Sequence, residues 1–152
     1  MYICYIRLIN KNKKAYYEYN VIEKYIAGIK LLGSEVKPLR NHEVSINESY
    51  CFIDNGEIFI KNMYIKPNET CNNYDNHQPY RDRKLLLNKK EILKLKTSIE
   101  SNGMTIIPLD LHETKTGLVK ITLGLCNGKK LHDKRNTIKE RDISRELNRK
   151  FK

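Results

Sequence analysis

The sequence predicts a mainly β protein: a small barrel with one main helix and one short helical turn, followed by a basic tail. Three observations predict this. Short stretches of alternating apolar and polar residues recur between turn-forming residues, as half-buried strands require. One stretch, 88–101, has helical spacing with a start signal and a stop signal. From Gly128 the chain reads GKKLHDKRNTIKERDISRELNRKFK, 25 residues carrying ten Lys/Arg against four Asp/Glu and too few apolar residues to bury a core.

The elements follow in order. MYICYIRLIN is hydrophobic but short, is broken by Arg7 and lacks a small-residue cleavage site, so it reads as an edge strand or loose terminus rather than a signal peptide. Two strands are expected around Ala15–Ile22 and Tyr25–Leu32, with Tyr17, Tyr19 and Val21 on one face. Ser45-Ile46-Asn47-Glu48 has capping-box spacing and predicts one helical turn. Tyr50, Phe52, Ile58 and Ile60 flank Asp54-Asn55-Gly56-Glu57, a hairpin in which Asn-Gly supplies the positive φ angles of a tight turn. Residues 66–79 (KPNETCNNYDNHQP) form a polar loop, expected to be mobile or ordered by a partner. Asn88 caps the main helix, Glu91 stands three residues later, Asn102-Gly103 ends it, and Ile92, Leu95 and Ile99 form its buried stripe. Strands over Thr105–Leu111 and Leu118–Cys126 follow. In the second, Val119, Ile121, Leu123 and Leu125 face one way, and Lys120, Thr122 and Gly124 the other. Such a barrel is most often of the OB type, which frequently binds nucleic acid on one face. The boundary falls near Asn127-Gly128, giving a barrel over 1–127 and a tail over 128–152.

Composition narrows the function. A formal charge of +11 and an isoelectric point near 9.5 favour a nucleic-acid partner, with a membrane surface next. No stretch approaches the ~20 apolar residues of a spanning helix. Frequent Lys, Asn, Ile and Tyr suggest an AT-rich genome, which inflates the lysine count, so the clustering of charge weighs more than its sum. The four cysteines (Cys4, Cys51, Cys71, Cys126) are scattered. Cys71 and His77 could share a metal, but free thiols in a reducing cytosol is the better reading.

Candidate binding residues lie in three places. In the tail, Arg141, Arg145 and Arg149 stand at i, i+4, i+8, one column of a helix, while Ile143, Leu147 and Phe151 form a narrow apolar column beside it. Such a helix folds when phosphates neutralise the arginines and an apolar surface receives the other stripe; the alternative is a solvated terminal helix packed on the barrel through Leu147 and Phe151. His132-Asp133 beside Lys134-Arg135 lacks the second base or nucleophile that catalysis needs, and stacking of His132 on a base fits better. In Gly33-Ser34-Glu35-Val36-Lys37-Pro38-Leu39-Arg40, Glu35 is an acid among bases at a strand end. It either pairs with Lys37 or Arg40, or reads a base edge or ribose hydroxyl while those two hold phosphates. Arg81, Arg83 and Lys84 precede three leucines expected in the core, and with Asn88 and Lys89 at the helix start they make a candidate phosphate site.

Five stretches, in order, carry a resemblance: Asn12-Lys13-Lys14-Ala15 leading to Tyr19; Gly33-x-Glu35-Val36-Lys37-x-Leu39-Arg40; Arg81-x-Arg83-Lys84-Leu85-Leu86-Leu87-Asn88; Gly128-Lys129-Lys130-x-His132-Asp133-Lys134-Arg135; and Lys139-Glu140-Arg141-Asp142. From about residue 12 onward the chain resembles the SsrA-binding protein (SmpB) family, the protein partners of transfer-messenger RNA. The resemblance implies an OB-type barrel, no catalysis, no cofactor, and a tail that is disordered when free and helical in the empty messenger channel. It implies binding to the tRNA-like domain of that RNA, with the barrel standing in for a missing anticodon arm, and entry with EF-Tu into stalled cytoplasmic ribosomes as a monomer. Glu35 and Asn88 fall on the family's RNA-recognition positions. Gly128, Lys129 and Lys130 fall on the join between barrel and tail, and His132, Asp133, Lys134 and Arg135 on the segment that meets the decoding region. Two departures stand out: Tyr17-Glu18 where the family often has His-Asp, and Pro38 where Ser or Thr is usual. That proline removes a backbone donor and fixes φ. Two competing classes remain, a structural ribosomal protein with a basic extension and a small RNA-processing enzyme.

Overall fold

The structure, a computed structural model, describes residues 5–150, with side chains described for 7–130 and 133–150. Its elements are β1 (Tyr5–Lys11), α1 (Lys13–Glu18), β2 (Tyr19–Ile29), α2 (Gly33–Arg40), β3 (Val44–Ser45), β4 (Tyr50–Asp54), β5 (Glu57–Lys61), β6 (Tyr64–Ile65), β7 (Arg83–Leu86), α3 (Lys89–Asn102), β8 (Thr105–Thr114), β9 (Val119–Gly128) and α4 (Leu131–Lys150). Strands β8, β4, β5, β7, β2 and β9 are hydrogen-bonded in that order, and β9 pairs back onto β8, so six antiparallel strands close a ring. Strand β1 pairs with the second half of β8, beyond the point where β4 meets it at Ile106. The protein is mainly β, as predicted, but among the described residues α1 and α2 accompany the barrel beside the expected main helix α3, and α4 occupies the tail.

The hairpin forms where the Asn-Gly signal places it. Asp54 pairs with Glu57, and Asn55 (φ 48°) and Gly56 (φ 75°) take the positive angles between them. Alternation sends Ile58 and Ile60 inward to meet Ala27, Leu85, Ile106, Ile121 and Leu123. Helix α3 contributes Ile92 and Leu95 to this core. The Asn88 N–H donates to Glu91 at 3.0 Å, and Gly103, at φ 61°, donates to the Ile99 carbonyl to end the helix.

Several expectations are corrected. Instead of two strands over Ala15–Ile22 and Tyr25–Leu32, residues Lys13–Glu18 are helical and one long strand runs to Ile29. The cause is Asn12, which is buried and fully bonded. Its Oδ1 accepts from the Ala15 N–H at 3.0 Å, and its Nδ2 donates to the carbonyls of Ile46 (3.1 Å) and Pro108 (3.0 Å). That cap starts α1 against the barrel. Ala15 then covers Ile107, Leu109 and Cys126, so the supposedly polar face of β9 is buried at Thr122 and Gly124 as well. Gly124 leaves no room for a side chain: a Cβ there would lie 2.9 Å from Leu109 Cδ1. Gly33–Arg40 is a helix, not a strand end. Ser45 ends β3, and residues 46–49 make a tight turn closed by Ser49 on the Ile46 carbonyl, not the expected helical turn. Of the three leucines, Leu85 is buried, but Leu86 is 54% exposed because β7 alternates.

The 66–79 loop lacks regular structure but is held by its own bonds. Asn76 brackets Asn68 from both sides, and buried His77 donates from Nε2 to the Ile65 carbonyl while its Nδ1 accepts from the Ser34 hydroxyl. Both ring nitrogens of His77 are therefore engaged, which removes it as a metal ligand with Cys71. Cys51, Cys71 and Cys126 are free thiols, and burial pushes the Cys126 thiol up to about 11. Cys4 lies outside the described residues.

Candidate nucleic-acid interface

Three of the predicted residues form a buried ionic knot. Helix α2 begins at Gly33, which places Glu35 at its third position, where its carboxylate caps the first turn by accepting the Leu32 N–H at 2.8 Å. The same carboxylate takes Arg81 Nε at 2.8 Å and Nη2 at 2.6 Å, and Arg83 Nε at 2.8 Å. Arg83 points into the end of the barrel because it alternates with Leu85 on β7, and it is fully buried. Its remaining donors go to the carbonyls of Met63 (2.7 Å), Arg81 (3.1 Å) and Pro79 (3.2 Å), so its guanidinium has no hand left for a ligand. Burial is the largest influence on the Glu35 carboxyl and pushes it up. Arg81, the Leu32 N–H and Arg83 together outweigh it and hold the group below its ordinary value. Burial pulls Arg83 down, opposed by Glu35.

This corrects two expectations. Glu35 pairs with Arg81 and Arg83, not with Lys37 or Arg40, and with no exposed surface it presents no oxygen to a base edge. Arg83 is no surface phosphate contact. Arg81 keeps a quarter of its side chain exposed.

A groove runs from the first turn of α3 across β7, β2 and β9 to the hairpin tip at Asn55–Glu57. Its floor is apolar: Leu86 and Ile26, with Gly28 between them. Gly28 keeps that floor flat, since a Cβ there would meet Leu86 Cβ at 3.3 Å. Its rim carries five lysines, Lys24, Lys84, Lys89, Lys96 and Lys120, against three carboxylates, Glu23, Glu57 and Glu91, of which Glu23 is paired with Lys94 and Glu91 accepts the Asn88 N–H. Lys84 is paired with Glu57 and Lys96 stands 3.9 Å from Glu100. Asn88 and Lys89, both exposed, sit at the start of α3, where its first N–H groups add positive potential. An apolar floor with a cationic rim is what a stacked base and its flanking phosphates require.

The structure thus brings Lys84, Asn88 and Lys89 together in one groove and leaves Lys37 and Arg40 out of it. Lys37 is exposed on α2, and Arg40 bonds Glu113 at 2.9 Å. Lys24, Lys96, Lys120 and Leu86 are the groove residues that sequence reasoning missed. Their available signal was strand alternation, which turns Lys24 and Lys120 outward; that they share a face follows only from the pairing of β2 with β9.

The tail leaves from the opposite end of the β2–β9 ladder. Gly128 pairs with Tyr19, and the Lys129 N–H donates to the Glu18 carbonyl while its Nζ reaches the Tyr16 carbonyl and Thr137 Oγ1, both at 3.2 Å. Lys130, Asp133, Arg135, Lys139, Arg141, Arg145 and Arg149 are exposed, and Lys134 is half-buried. Leu147 is 50% exposed, so it does not anchor α4 to the barrel. The side chain of His132 and all of Phe151 lie outside the described residues.

The chain matches the SmpB protein family over residues 9–152. It is 50% identical to an SsrA-binding protein of Persephonella marina over 147 residues, 97% of this chain and 95% of that one. It is 51% identical to an SsrA-binding protein of Acholeplasma laidlawii, with 97% of each covered. A solved chain from work described as "tmRNA-SmpB: a journey to the center of the bacterial ribosome" superposes with a TM-score of 0.66 at 40% identity, over 80% of this chain and 85% of that one.

Proposed function

From the premise that the chain belongs to the SmpB family of SsrA-binding proteins, we propose that it is an RNA-binding adaptor, not an enzyme, that binds transfer-messenger RNA in trans-translation. The observation that carries the reading is the groove: an apolar floor at Leu86 and Ile26 inside a rim of lysines, with Asn88 and Lys89 at a helix start. Lys84, Asn88 and Lys89, joined by Lys24, Lys96 and Lys120, meet the tRNA-like domain of the RNA. Arg81 reaches toward it from the knot. Glu35 and Arg83 are positioning residues that fix α2 and β7 and act through Arg81. Lys37 and Arg40 hold phosphates from the outer face of α2.

The finer reading divides the chain at Asn127-Gly128. The barrel, 1–127, carries the RNA to stalled ribosomes in the cytoplasm, with EF-Tu bound to the alanylated RNA and the protein itself monomeric. The tail, 128–152, meets the decoding region through Gly128, Lys129, Lys130, His132, Asp133, Lys134 and Arg135. It then probes the empty mRNA channel through Lys139, Arg141, Arg145 and Arg149. In support, those arginines are exposed on a helix clear of the barrel core.

The test is a salt titration of binding to transfer-messenger RNA with ordinary tRNA and an unrelated hairpin as competitors. Phosphate contacts alone give equal binding to all three and a log–log slope of about −0.9 per contact. A preference for transfer-messenger RNA that survives moderate salt supports the adaptor. Equal, salt-fragile binding to every RNA refutes it.

A further inference from the structure

Helices α1 and α4 meet along one face of each. Lys13 and Tyr17, four residues apart, share a face of α1; Arg141, Ser144 and Arg145, spaced i, i+3, i+4, share a face of α4. At one turn of the contact Arg141 lies over the Tyr17 ring, its Cζ 5.7 Å from the centroid. At the neighbouring turn Lys13, Arg141, Ser144 and Arg145 line a small nook. That nook holds three cations and a hydroxyl and has no carboxylate in its wall. Among the described residues Lys13 has no ion pair, and Arg145 pairs only at 3.9 Å, with Asp142. Three like charges converging between two docked helices are a cost unless an anion sits among them. The donor set, two guanidinium forks, one ammonium and one hydroxyl, suits a tetrahedral phosphate oxyanion.

We propose that this nook is a binding site for a backbone phosphodiester of RNA, and that occupying it clamps α4 onto α1. The site is assembled from barrel and tail together, so it exists only while the helix is docked. By linkage, an anion that binds the docked pose alone must favour that pose. The nook is separate from the lysine-rimmed groove, and the proposal rests on the RNA-binding reading only for the source of the phosphate.

The experiment is amide hydrogen exchange of the full chain at fixed ionic strength, alone, with hexauridylate, and with inorganic pyrophosphate. The same runs are made on Lys13→Ala and Lys13→Glu. Lys13 is exposed, so the fold is undisturbed, and exchange in β8 and β9 serves as the internal control. At ten times its Kd, hexauridylate should slow exchange across 131–150 about tenfold. Lys13→Ala should lose most of that response. Lys13→Glu, which places a carboxylate opposite Arg145, should show slow exchange with no anion added. An unchanged response in Lys13→Ala, or no response in the wild type, overturns the site. A response to pyrophosphate without one to hexauridylate overturns the assignment to RNA. The readout lies in α4, so failure of the groove to select transfer-messenger RNA leaves this test standing by itself.

Discussion

Replacing Glu35 by alanine should cost the barrel a substantial share of its stability before any effect on RNA is considered. The carboxylate receives five close donors: two from Arg81, two from Arg83, and the Leu32 N–H. Without it, Arg83 stays at 0% exposure with only the carbonyls of Met63, Arg81 and Pro79 around it. Removing one partner of a buried ion pair costs about 3–5 kcal/mol, and the three retained carbonyls place this case near 3. For a chain of this size that lowers Tm by roughly 6–12 °C. The chain has no tryptophan and ten tyrosines, so urea unfolding is followed by far-UV circular dichroism with tyrosine fluorescence as a second probe. Two comparators separate charge from packing. Glu35→Gln keeps the shape and should still destabilise. The double change Glu35→Leu, Arg83→Met removes both charges and should come within about 1 kcal/mol of wild type. The pH dependence has a fixed sign. The folded Glu35 carboxyl is held below its ordinary value of 4.5, so its contribution is present above that value and disappears as pH falls through the lower folded value. Glu35→Gln should lack that acid branch. An unchanged urea midpoint in Glu35→Ala, with RNA affinity lost, would refute the reasoning: the carboxylate would then be serving RNA directly.

Three further outcomes follow from the same geometry. Gly124→Ala should destabilise by about 1–3 kcal/mol in urea, because its methyl would overlap Leu109 and Cys126 in a packed layer. Lys24→Ala with Lys120→Ala should weaken binding to transfer-messenger RNA and flatten the salt slope by about 2, one unit for each phosphate no longer neutralised, with no change in Tm. Arg141→Ala, Arg145→Ala and Arg149→Ala together should abolish tagging on stalled ribosomes while weakening affinity for isolated transfer-messenger RNA only by the one phosphate contact of the α1–α4 nook; a larger loss of free-RNA affinity with tagging preserved would reverse the division between barrel and tail.

What could be read from the sequence was what neighbours decide. The β4–β5 hairpin, α3 with both its ends, and the β8–β9 pair are set by residues within a turn of one another, and each lies where its local signal points. The misread segments depend on distant partners. Asn12 starts α1 through carbonyls 34 and 96 residues away, so nothing local marks Lys13–Glu18 as helical against its tyrosine alternation. Arg83 looked like one of a surface run of cations because its counter-ion is 48 residues upstream, on a helix that carries a proline. The groove divides the same way. Asn88 and Lys89 are legible as a helix start, whereas Lys24 and Lys120 come onto one face only when β2 and β9 zip together.

The root of α4 has mechanical consequences. Residue Lys129 is stitched to Glu18, Tyr16 and Thr137 within one residue of the end of β9, so the helix departs from the barrel with no slack. Its 20 residues span about 30 Å, which makes it a pointer whose bearing is set by the orientation of the barrel. A tilt of about 10° at that root carries the far end roughly 5 Å sideways, nearly one helical pitch. A barrel seated slightly askew on its RNA would therefore aim the helix at a wall rather than down an open passage, and the accuracy of seating at one end would be judged by steric admission at the other.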